Sequence, residues 1–449
     1  MRRRSALACV IVVCLVGSTA AAAPRWTAPR SRLAVPAPDS AKHRLDHRQF
    51  LIPPSSDDCM TVYRLACYLP PQIRTAYGVT PLLDGGTDGS GTTIAIVDSF
   101  GSPTIEHDLH VFDQAWGLPD PHLETITPAG PVPPFDATDP DMTGWAFETT
   151  LDVEYAHLMA PGADILVVST PVSETEGVAG FPEIVQAENY VIDNGLADVI
   201  SQSLGAAEQT FPSAERLRSL RGAFENAAKH GVTVVASSGD SGATDYQNDQ
   251  QTLYSYPVDS WPSTDPLVTS VGGTHLRLAT DGARTAPDAT WNDEYGAGGG
   301  GVSTVFPRPA FQNGVRGVVG DYRGTPDIAL SAAVDGGVTV YTSYDADDTG
   351  WSVVGGTSEA APLFAGLVAL ATQRAGHRLG VINPALYRLA SRPGNGIVDV
   401  TLGDNSYGEV TGYSAGPGYD LASGLGTINA ARFVPALAKA VRPTKWAQP

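Results

Sequence analysis

Hydrophobic positions along this chain recur in two rhythms, and their alternation predicts an architecture. From Thr92 onward, short β-branched runs bounded by Gly or Ser predict buried strands at TTIAIVDSF (92–100), ADILVVS (163–169), ADVISQSLG (197–205), VTVVASSGD (232–240) and PLVTSVGG (266–273). Between them, residues 182–194 and 213–230 carry helical spacing. Continuous apolar strands joined by helical crossovers predict an α/β fold: a doubly wound, mostly parallel sheet with helices on both faces. Such a sheet keeps its chemistry at the C-terminal ends of its strands.

The N-terminal part breaks this rhythm. Residues 1–23 read as a secretory signal: Met1-Arg2-Arg3-Arg4, an apolar run from Ala6 to Val16, then small residues through Ala23. Residues 24–58, rich in Pro, Arg, Ser and His, read as an exposed segment, and ordered sequence is expected from CYLPPQIRTAYGV (67–79). The division that follows is a signal at 1–23, a short leader or propeptide at 24–66, and one domain over 67–440.

Composition narrows the partners. A chain of 449 residues with 42% hydrophobic content can bury a core, and a net charge of −20 argues against nucleic acid. After the signal no uncharged apolar segment is long enough to cross a bilayer, so a soluble, exported monomer that does not engage membranes is expected. Cys9 and Cys14 belong to the signal; Cys59 and Cys67, in an oxidising compartment, most simply close a small disulfide loop. No HExxH zinc motif occurs.

GGTSEAAPLFAGLVA (355–369) is the strongest chemical signal. Gly355 and Gly356 form a turn ahead of an apolar helix, and Ser358 sits where unpaired helix N–H groups could face a developing oxyanion. Ser and Thr also cap helices for structural reasons, so a base is needed. His157 is the one tempting histidine, and its placement reads more readily as a helix surface. Upstream of the 163–169 strand, FETTLDVEYAHLM places Phe147, Leu151, Tyr155 and Leu158 on an apolar stripe, while Glu148 and Asp152, four apart, project together. Alone, such a pair reads as two solvated acids. SSGDSGA (237–243) adds Asp240 in a tight turn at a strand's C-terminal end. Asp98, after the IAIV strand, reads as structural.

These elements, with WNDEYGAGGGGVSTVFPRPAFQ (291–312), RGTPDIAL (323–330) and a C-terminal DV…AGPGYD, occur in an order that resembles the sedolisin family of serine-carboxyl peptidases. The resemblance covers residues 67–435 and implies a subtilisin-like fold over a peptidase domain at 67–440. It implies Ser358 as nucleophile, Glu148 as its base, Asp152 as the acid that orients Glu148, and Asp240 as oxyanion partner. It also implies a long folded prodomain, where this chain has only residues 24–66 between signal and domain.

Within IVDVTLGDNSYGEVTGYSAGPGYDLASGLG (397–426), the carboxylates of Asp399 and Asp420 and backbone oxygens of Val400, Gly416 and Gly418 make a hard-oxygen set suited to Ca²⁺. Alone these are ordinary turns; their order is similar to the family's calcium loop. Gln202 to Gly205 and Gly298 to Gly301 could offer an edge to an extended peptide, or could be a strand end and a turn. The function expected is a secreted, acid-acting endopeptidase taking polypeptide substrates. Its rivals are a tripeptidyl exopeptidase, a neutral enzyme using His157, and an inactive calcium-binding relative.

Overall fold

In the computed structural model, residues 44–346 and 349–442 are described; the expected signal, the leader up to residue 43 and the last seven residues lie outside them. The central sheet contains β1 (Thr93–Ser99), β2 (Leu123–Ile126), β3 (Asp164–Thr170), β4 (Val199–Gln202), β5 (Thr233–Ser237), β6 (Thr269–His275), β7 (Ala289–Thr290) and β8 (Ile328–Ser331). Its path is β7-β6-β5-β4-β1-β3-β2, with β8 also paired to β6, and every pairing is parallel except β6 with β7. The doubly wound reading therefore holds. β2 and β8 were not expected: the first is short and half polar, the second follows directly on a Gly-Thr-Pro turn.

Helices cover both faces: α1 (Pro140–Met159) and α4 (Thr357–Ala375) on one, α2 (Phe181–Asp193) and α3 (Gly222–His230) on the other, with α5 (Ala430–Ala440) beside α4. Strand parity divides the core. Ile94, Ile96, Ile165 and Val167 face α1 and α4, whereas Ala95, Val97, Leu166 and Val168 face α2 and α3. The single helix expected over 213–230 is two, Ala214–Arg218 and α3, broken around Ser219–Arg221.

A second sheet pairs strand Arg44–Phe50 with Gly350–Val354, then Gly337–Thr342, then Cys67–Tyr68. Regular structure is thus present ahead of Cys67, at Arg44–Phe50, because this segment finds its hydrogen-bond partners in a strand some 300 residues away, Arg44 lying opposite Val354. Cys59 and Cys67 are joined in a disulfide, which fastens helix Ser56–Val62 to this sheet.

The two sheets enclose α1. The Tyr155 hydroxyl donates to Thr339 O at 2.8 Å, and α4 crosses close enough that a side-chain carbon at Gly366 would stand 2.6 Å from Met159 Cβ. Consequently α1 is buried on every side from Trp145 to Met159, acids included.

Candidate active site

Four structural elements deliver the acids and the serine to one place. Gly356 adopts φ +126°, a conformation that side chains rarely tolerate, and turns the Gly350–Val354 strand into the first turn of α4. Ser358 follows at the second helical position. It retains only 4% exposure, so the nucleophile expected on an exposed turn is set below the surface.

Asp240 lies just beyond β5 and is buried. Its Oδ1 accepts from the Thr357 N–H and from the Thr357 hydroxyl, both at 2.7 Å, so it grips the residue next to Ser358. A helix N-terminus offers orphan N–H groups and a positive dipole end, and a carboxyl group there uses both.

On α1, Glu148 and Asp152 share a face one turn apart, both with no exposed surface. The solvated-acid reading is overturned, since α1 has no solvent face at this point. Asp98, which the sequence reads as structural, lies at the end of β1. Strand alternation sends it to the same face as Ile94 and Ile96, toward α1, where it is fully buried. Burial pushes its carboxyl up to about 7, against a smaller opposing hydrogen bond from Thr149. Asp152 is held well above the ordinary carboxylate range, first by burial, then by the charges of Asp98 and Glu148, with the Ser203 hydroxyl pulling the other way. Two full charges about 4 Å apart repel by about 4 kcal/mol at an effective dielectric of 20, so ionising all three acids together in one dry site is costly.

Ser203 connects the acids to Ser358. It follows β4, donates to Asp152 Oδ1 at 2.8 Å, and its hydroxyl lies 3.3 Å from the Ser358 carbonyl oxygen. The Gln202–Gly205 segment is thus inside the site. Gly298–Gly301, by contrast, is buried scaffold: Gly299 N donates to Gly239 O at 2.7 Å, and a Cβ there would fall 2.1 Å from Ser238 O. This run supports the Asp240 turn from beneath and offers no edge to a substrate.

His157 is also buried, not on a helix surface. Nine residues after Glu148, it points to the opposite side of α1, with Nε2 3.0 Å from Pro119 O and 3.2 Å from Asp113 Oδ1.

The residues of the calcium set come together in one loop, closed at its neck where Ile397 pairs with Ile428. Asp399 Oδ2 accepts from Gly418 N at 2.8 Å, and Asp420 Oδ2 accepts from Gly416 N at 2.9 Å. Val400 O accepts from the Ser423 hydroxyl at 3.3 Å. Gly426 O accepts from Ala329 N, tying the loop to β8. Among the described residues no group of three or more His, Cys, Asp or Glu side chains could hold a metal, so a cation here would depend on backbone oxygens beside the two carboxylates. The set of hard oxygens fits Ca²⁺ and does not suit a soft metal.

A parallel sheet with a serine at the mouth of the helix after a glycine turn defines the subtilisin-like class of fold. The Subtilase family profile matches residues 137–385, and the chain belongs to that family, in its sedolisin group. It is 34% identical over 381 residues to kumamolisin of Bacillus sp. (strain MN-32), across 82% of this chain and 63% of that protein. It is 31% identical over 317 residues to tripeptidyl-peptidase 1 of Canis lupus familiaris, across 66% of this chain and 51% of that protein. The solved structure of Pseudomonas sedolisin, a serine-carboxyl proteinase complexed with two molecules of pseudo-iodotyrostatin, superposes with a TM-score of 0.70 at 28% identity, covering 84% of this chain and 99% of that one. The chain spans about half to two thirds of the length of these curated relatives.

Proposed function

We propose that the protein is a secreted, acid-acting serine-carboxyl endopeptidase. The observation that carries this reading is the dry cluster of Asp98, Glu148 and Asp152, linked through Ser203 to the residue that would be the nucleophile. In this reading the Ser358 hydroxyl adds to a peptide carbonyl while its proton passes to ionised Glu148. Asp152, steadied by Ser203, shares a proton with Glu148 and orients it; Asp98 extends the shared system toward β1. The oxyanion is met by Asp240 in its protonated form. Since Oδ1 accepts from Thr357, the donated proton belongs on Oδ2. The C–N bond then breaks, the leaving amine takes the proton from Glu148, and an ester remains on Ser358. Water hydrolyses it with Glu148 again as base.

A base that must be ionised and an oxyanion donor that must be protonated are easiest to hold apart in acid. In the same reading Asp399, Asp420 and the carbonyls of Val400, Gly416 and Gly418 would hold Ca²⁺, which would neutralise the two carboxylates and stiffen a loop anchored on β8. Polypeptides are the substrates, acted on by a monomer after removal of residues 1–23.

Digestion of a denatured protein from pH 2 to 8, by wild type and by Ser358→Ala, tests the reading. Activity confined to acid and absent from the variant is expected; equal activity in both overturns it. The 31% identity to tripeptidyl-peptidase 1 favours one rival, an exopeptidase, and N-terminally blocked peptides separate the two: an endopeptidase cleaves them and an exopeptidase does not.

A further inference from the structure

Behind the sheet, on the face away from the catalytic acids, one polar pair interrupts an apolar layer. Val97, Val168, Ile200 and Ala236 from the strands meet Phe224 and Ala227 of α3 and the inner face of α2. Into this layer α2 sends Glu188 and the end of β4 sends Gln202, both without exposed surface. The Gln202 side-chain N–H group donates to Glu188 Oε1. The two remaining oxygens, Glu188 Oε2 and Gln202 Oε1, are buried and have no hydrogen-bond partner.

A lone charged carboxylate in such a layer is expensive, and an orphaned amide oxygen adds to the cost. One proton resolves both. A neutral carboxylic acid has one O–H to donate, and a primary amide has one carbonyl to accept it. Placed on Oε2, the proton makes the pair a closed ring: amide N–H to acid carbonyl, acid O–H to amide carbonyl. Burial alone lifts the Glu188 carboxyl to about 8, with no charged group from the strands or from α3 contributing.

The location gives the pair a consequence. Successive strand residues point to opposite faces, so Gln202 is held from behind by Glu188 while Ser203, the next residue, reaches forward to Asp152 and the Ser358 carbonyl. We propose that Glu188 is a positioning residue of the site: in its protonated form it closes an acid–amide ring with Gln202 and thereby fixes the strand end that presents Ser203 to Asp152. This rests on the peptidase reading for its catalytic part alone.

The test uses the full chain and the variants E188Q, E188L and E188L/S203A. E188L is expected to lower kcat about tenfold or more with little change in KM, because misplacing a catalytic neighbour by a fraction of an ångström carries such penalties. E188Q, whose amide can close the same ring, should restore kcat to within about twofold. In the S203A background, E188L should cost nothing further. Wild-type kcat in a folded E188L, or an undiminished cost in the S203A background, overturns the proposal.

Should E188L fail to fold, E188Q decides by melting alone. Glu188 keeps its proton in the native state up to about pH 8 and loses it in the unfolded chain near pH 4.3, so wild-type stability falls across that window. The melting temperature of E188Q should fall less steeply there, and parallel curves overturn the proposal. A wild type without peptidase activity would sink the peptidase reading instead, leaving the melting comparison to judge the ring.

Discussion

The acids of α1 and the acids of the 399–420 loop are the same functional group in two different settings. Asp152 has no exposed surface, a single hydroxyl donor at Oδ1, and two further acids as neighbours, all of which favour a shared proton. Asp420 is buried too, but although burial raises it, N–H groups of Gly416, Ser423 and Ala422 offset part of that effect. Backbone N–H groups support an anion, whereas neighbouring acids oppose one. The first arrangement therefore suits proton transfer and the second suits a cation. Residue type alone does not separate them; the supply of donors does.

Ser358→Ala breaks the comparison at its catalytic end and carries the largest expected effect, a loss of about four or more orders of magnitude in kcat. The melting temperature should stay unchanged, since removing one hydroxyl from the first turn of α4 leaves the Asp240–Thr357 grip in place. Near wild-type turnover would mean that another residue is the nucleophile. Next in size, Glu148→Gln and Asp240→Asn should each cost about two or more orders of magnitude in kcat, as a base and an oxyanion donor are removed. His157→Ala is expected to leave kcat within about threefold while lowering stability, because its ring fills a buried slot against Pro119 and Asp113. The reverse ranking, with His157 essential and Glu148 dispensable, would restore the neutral subtilisin mechanism.

The residues of the proposed site could be picked out along the chain because each of their patterns is local. Two acids four apart on a helix, a glycine pair before a serine and an acid after a strand are patterns that each fall within a few positions. Their burial was not readable. It arises because α1 is enclosed by a second sheet whose strands, 44–50, 337–342 and 350–354, come from segments far apart in the chain. Asp98 reads as structural along the chain for the same reason: strand parity gives its face, but only tertiary packing brings it beside Asp152. Gly298–Gly301 misled in the opposite direction, since a glycine run looks like an open turn whether it meets solvent or another backbone.

Asp98→Asn sharpens the comparison from inside the acid cluster. Native Asp98 holds its proton up to about pH 7, while in the unfolded chain it ionises near pH 3.9, so its contribution to stability is complete below that value and is lost as pH rises toward 7. The asparagine variant lacks this slope. It should melt at a higher temperature than wild type near pH 7 and show little difference near pH 3.5, with kcat at acid pH lowered about tenfold because Asp152 loses a proton-sharing neighbour. Melting curves at the two pH values check this, and an equal difference at both would mean that Asp98 is ionised throughout.

The smallest expected effect lies in the loop. If Asp399 and Asp420 hold Ca²⁺ with the carbonyls of Val400, Gly416 and Gly418, a cation at a hundredfold excess over its Kd adds about 2.7 kcal/mol to the native state, a few degrees of melting temperature in a chain of this size. Chelation should remove that increment, and Asp399→Ala with Asp420→Ala should abolish the response to chelator. The pH dependence runs opposite to that of Asp98. Asp420 is raised by burial, so in acid it protonates earlier than a free carboxylate and calcium affinity should fall as pH drops. In the proposed mechanism low pH would keep Asp240 protonated but would also protonate Glu148 and weaken the loop, which would bound the working range from below. Calorimetry with and without chelator at two acid pH values measures both trends, and an unchanged unfolding temperature in all four conditions would show that the loop stands without a cation.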